Sequence, residues 1–156
     1  MLGGGSYLGV DVWDFEDALD RASEARRAAI PSAELDLLLV AVELWRGEPL
    51  VDVLDQEWAA THLRRLNERY ISAALRAAEL LAAAGRGDEA IVVAERGLDV
   101  EPWSEALHRV IVSVLVGGGR VDQARRALAR CSEALGEIGT AMPPAMVALG
   151  ARIGTR

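Results

Sequence analysis

The apolar positions of this chain recur mostly three and four residues apart, the period of a helix with one buried face. Phe15, Leu19, Ala22, Ala25 and Ala29 form such a stripe, which predicts a first helix over about 13–29, ended by Pro31. Ser32 is the expected N-cap of a second helix over about 33–45, with acids in its first turn. From Leu35 to Trp45 that segment is apolar nearly all round, so it should be buried. Arg46-Gly47-Glu48-Pro49 breaks the pattern, and residues 50–55 read as a short irregular apolar connection. The third helix is the longest, about 56–84, with Trp58, Leu63, Leu66, Tyr70, Ala74, Ala77 and Leu81 on one stripe. Gly85 is placed to stop it in left-handed geometry.

Four further helices follow. The fourth, about 88–99, opens on Asp88 and Glu89 at its positive end. Pro102 punctuates, and Ser104 or Trp103 opens the fifth, about 104–117. Its run from Val110 to Val116 has the propensity of a buried strand. The helical patterns on both sides, and the repeat described next, assign it to helix. Gly117-Gly118-Gly119 ends it, a sixth helix covers about 121–136, and Pro143-Pro144 leads into a last one over about 144–153. The fold class is therefore all-α, with about seven helices.

A shift of 34 residues lays Gly85-Arg86-x-Asp88-x-Ala90 on Gly119-Arg120-x-Asp122-x-Ala124. Thirty-four residues is the tetratricopeptide period. Two antiparallel helices approach closely only where one carries a small side chain, as Ala90 and Ala124 do, and the turn before them needs the positive φ that glycine supplies. Leu81 and Leu115 are equivalent core positions one turn earlier, and Pro102 lies where the repeat begun before Ala90 should end. Helix pairs of this kind bury their apolar faces by stacking. The expected architecture is a tetratricopeptide-like stack of antiparallel helix pairs.

Composition narrows the function classes. The chain has 156 residues, of which 51% are apolar, enough for one domain with a real core. Its 17 basic residues are all arginine, which points to a GC-rich genome. The net charge is −7, and residues 1–60 carry −9 of it, so direct nucleic-acid binding by this domain is not expected. Cys131 is alone, which excludes a disulfide framework and suits a cytoplasmic protein. No apolar run approaches the roughly 20 residues of a membrane span, so no membrane insertion is expected. Residues 1–12, Gly-rich and then briefly strand-like, read as a lead-in or the remnant of an upstream domain, and 13–156 as the helical domain.

Few residues invite chemistry. His108 and Cys131 fall on the two helices of one repeat, both facing inward, and are expected to be a helix histidine and an inert buried thiol. His62, His108 and Cys131 are too few for a metal site. Gly117-Gly118-Gly119-Arg120 lacks the Gly-Lys-Ser/Thr ending and the preceding strand of a phosphate loop. No catalytic residue, cofactor or metal is expected, and the chain is not read as an enzyme. The partner-binding candidates are Trp58, His62, Arg65 and Arg69 on the long helix and Arg109 on the fifth, because arginine and aromatics dominate binding hot spots. Trp13, Trp45 and Trp103 are expected in the core or at helix caps. The concave face of the stack would carry Ser72, Leu75, Glu79 and Ala82, then Ala106, Arg109, Ser113 and Val116. That mixed face suits a peptide, a helix or a second copy.

In order along about 140 residues, these features resemble the bacterial transcriptional activator domain of actinobacterial antibiotic-pathway (SARP-type) regulators. The resemblance is carried by Val10-Asp11-Val12 followed by Phe15 and Leu19, and by Leu44-Trp45-Arg46-Gly47-Glu48-Pro49-Leu50. Trp58 with Arg64, Arg65, Leu66 and Arg69 comes next. Then come Gly85-Arg86-x-Asp88-Glu89-Ala90, Leu98-Asp99-x-x-Pro102 and Glu105-x-Leu107-His108-Arg109. Leu135-Gly136-Glu137 with Pro143-Pro144 closes the set, and Ala145-Met146-Val147 departs from the acid and arginine that many members carry there. The resemblance implies a regulatory domain that self-associates or contacts a transcription-machinery or regulatory protein. It places DNA contact in another part of a longer protein. The alternative is a stand-alone tetratricopeptide-like adaptor with no link to transcription.

Overall fold

The structure, a computed structural model, describes residues 12–45 and 57–154. Among them are seven α-helices and no strand: α1 Val12–Arg27, α2 Pro31–Leu44, α3 Glu57–Ala83, α4 Gly87–Val100, α5 Glu105–Gly117, α6 Val121–Glu137 and α7 Pro144–Gly154. The fold is all-α and tetratricopeptide-like, and each helix lies within a few residues of its expected span. The lead-in before residue 12 and the connection over 46–56 lie outside the described residues, as does the Trp58 side chain.

The chain forms two compact units, Met1–Ala77 and Ala78–Arg156. In the first, α1 and α2 make a helical hairpin. Its core joins Phe15, Leu19 and Ala22 of α1 to Leu35, Leu38 and Val42 of α2 and to Leu66, Tyr70 and Ala73 of α3. Trp45, at the C-cap of α2, lies between two rings. It stacks on Tyr70 at 4.8 Å and 16° and meets Phe15 at 5.3 Å and 48°. Offset and tilted rings of this kind contribute beyond their buried area.

In the second unit α4, α5 and α6 pack in succession, and α7 lies against α5 and α6. Ala90 and Ala124, the small residues of the repeat, are fully buried. The Val110–Val116 run is helical, and Ser104 is its N-cap, accepting from the Leu107 N–H at 3.4 Å. Gly87 marks the tightest approach: a Cβ there would stand 2.8 Å from Val114 Cγ1.

One stop recurs at four helix ends. Gly85, Gly119 and Gly139 have φ of 78°, 70° and 71°, and Ala29 has φ of 56°. In each case the left-handed residue donates to the carbonyl three residues back, and the next residue donates to the carbonyl five back. The pairs are Gly85 N–Ala82 O with Arg86 N–Leu81 O, and Gly119 N–Val116 O with Arg120 N–Leu115 O. Gly139 N–Gly136 O with Thr140 N–Leu135 O, and Ala29 N–Arg26 O with Ile30 N–Ala25 O, repeat the pattern. This double bond satisfies carbonyls that a helix end leaves without partners.

Four expectations need correction. Ala29 does not continue the α1 stripe; it leaves the helix and forms the turn. Ser32 is not an N-cap, because Pro31 takes the first helical position, where its fixed φ fits and its missing N–H costs nothing, and Ile30 becomes the N-cap with no side-chain bond. The α2 helix is not buried all round: Val40 is 50% exposed, since one helix face can touch only one neighbour at a time. Trp13 is not a core residue. Trp13 is 67% exposed, two residues and about 200° around the helix from Phe15.

The left-handed stops predict opposite responses to opposite changes. Ala29→Gly should stabilise the protein by about 1 kcal/mol, and Gly85→Ala should destabilise it by about the same. Urea unfolding midpoints measure both; equal midpoints for Ala29→Gly and the parent would contradict the assigned turn.

Candidate partner-binding site

The long helix α3 presents Arg65, Arg69, Ser72 and Arg76 at helical spacing along one stripe, and these four line a groove in the first unit with residues of α1 and α2. The groove has a volume of about 310 Å³. Its floor is apolar, from Leu19, Ala22, Leu38 and Ala73.

The arginines differ in what holds them. Arg76 is bidentate to Glu34 of α2, with Nε–Oε1 at 2.7 Å and Nη2–Oε2 at 3.0 Å. Glu34 is almost fully buried, whereas Arg76 remains a third exposed. The Arg76 hydrogen bonds hold the Glu34 carboxyl below the usual carboxylate range; burial opposes them and loses, and the charges of Arg76 and Arg26 add to the lowering. Arg69 spans to α1, donating to Glu16 Oε1 at 3.3 Å and Asp20 Oδ1 at 3.1 Å. Arg65 and Arg26 line the same groove and close no hydrogen bond or ion pair among the described residues. The intrahelical pairing of Arg65 with Glu68 that the sequence allows is not formed there.

Of the sequence-derived candidates, the fold therefore brings Arg65 and Arg69 to one groove. His62 is half-buried one turn before them on α3. Arg109 is exposed on α5, in the second unit, with Ser113 one turn on. Sequence reasoning missed Glu34, read only as a first-turn acid. A usable signal existed: a carboxylate inside an otherwise apolar helix must find a cation, and an arginine-rich helix follows.

The second unit carries its own polar ties. Arg86 and Arg120, each the N-cap of its helix, reach three residues forward to Glu89 and Gln123. The repeat thus extends to a cap pairing that the aligned letters did not include. Arg120 also donates to Asp88 at 2.6 Å, and Arg130 to Glu95 at 2.6 Å, joining α6 to α4. His108 is buried, and its Nε2–H donates to the Pro102 carbonyl at 2.8 Å, fixing the turn between α4 and α5. Burial pushes the His108 pKa down, so the ring is neutral. Burial, with the charge of Glu105 adding, pushes the Cys131 thiol up, away from the thiolate that nucleophilic chemistry needs. No group of three or more metal-ligating side chains occurs among the described residues.

Two measurements check these assignments. Arg76→Met should cost about 2 kcal/mol, because it strands the Glu34 carboxylate, discounted for the exposure of Arg76; Glu34→Leu/Arg76→Met should recover most of that loss. Stability should also fall in two steps on acidification. His108 has a lowered folded pKa, so below about 6.5 the unfolded chain takes the proton first and stability drops as pH decreases. Glu34, also lowered, adds a second loss below about 4.5. Urea midpoints across pH should lose the first step in His108→Gln and the second in Glu34→Gln.

The comparisons with known proteins agree with this architecture. No curated protein sequence matches the chain. Among solved structures, Mycobacterium tuberculosis EmbR in complex with a low-affinity phosphopeptide is similar, with a TM-score of 0.74 and 24% identity. The match covers 91% of this chain and 38% of that one, so this chain spans well under half the length of that chain. The family model described as the bacterial transcriptional activator domain matches residues 10–154, and the chain belongs to that family.

Proposed function

We propose that this chain is the protein-interaction part of a bacterial transcription regulator. It acts by self-association or by contact with a transcription-machinery or regulatory protein, and without enzymatic activity of its own. The carrying observation is membership of the activator-domain family across residues 10–154. The surface supports the reading: among the described residues, Trp13, Val40, Val92, Ile138 and Val147 are large apolar side chains at least half exposed. The phosphopeptide bound to the similar mycobacterial protein gives that protein a peptide ligand, which is compatible with peptide partners in this family. Residues 13–156 form the domain in this reading, and 1–12 are its Gly-rich lead-in.

The candidate residues divide by their present duties. Arg65 and Arg109 are exposed and available to a partner. Arg69 is engaged by Glu16 and Asp20, so its replacement acts on the α1–α3 contact first. His62 and Trp58 belong to the same helix as Arg65.

Light scattering at tens of micromolar tests the self-association arm, with a mass above 16.7 kDa as the expected result. A uniform 16.7 kDa species leaves only the partner arm. That arm is checked by capture of bacterial RNA polymerase on the immobilised domain, which Arg65→Ala/Arg109→Ala should weaken.

A further inference from the structure

We draw no further inference here: the strongest candidate, the groove between α4, α5 and α6 with Arg120, Arg126 and Arg130 along its α6 side and Ile91, Ile111 and Leu115 beneath them, carries nothing, because Asp88 and Glu95 already hold Arg120 and Arg130 and nothing in the structure shows what covers it.

Discussion

Among the described residues the turns from α1 to α2, from α3 to α4 and from α5 to α6 each rest on one residue held at positive φ, whereas α4 and α5 are joined through Glu101–Ser104 without one. At these turns the left-handed residue stops the helix within a residue, and its N–H and that of the next residue go to carbonyls already in place. Gly85 and Gly119 do this one repeat apart, and Gly139 does it before the last helix. The fourth stop is Ala29, where the same pair of bonds holds an alanine in a conformation that costs an L-residue more than glycine. Once the stops are set, Ala90 and Ala124 can enter the crossings and Gly87 can approach Val114.

The stops at Gly85 and Gly119 were legible because glycine announces them and because a 34-residue shift repeats them. The Ala29 stop was not, since alanine is the strongest helix former and continues an apolar stripe by spacing alone. The same reason misplaced the start of α2: Ser32 is a good cap in isolation, but Pro31 beside it fits the first turn better. The apolar run of α2 gave burial on all sides by composition, whereas packing offered it neighbours on part of its circumference and left Val40 to solvent.

The groove was half legible. An arginine stripe on a long helix is visible as spacing, and it put Arg65 and Arg69 among the candidates. What the letters do not carry is which arginine meets which acid across 42, 49 and 53 residues of chain. Those pairings divide the stripe into structural and available charges. Arg76 and Arg69 fasten α3 to its neighbours, and Arg65 is left to face outward. His108 follows the same logic: its inward place on the helix is legible as spacing, and the Pro102 carbonyl that its ring holds is not.

The ties between α4 and α6 bear on how the second unit forms. Arg120 reaches Asp88 across 32 residues and Arg130 reaches Glu95 across 35, about one repeat in each case. Contacts of such short sequence separation close with little loss of chain entropy, and proteins dominated by them fold fast. Assembly of this unit can thus begin at either glycine turn and spread to the neighbouring pair, as in other repeat arrays. A nascent chain could complete the first hairpin while the second is still emerging from the ribosome.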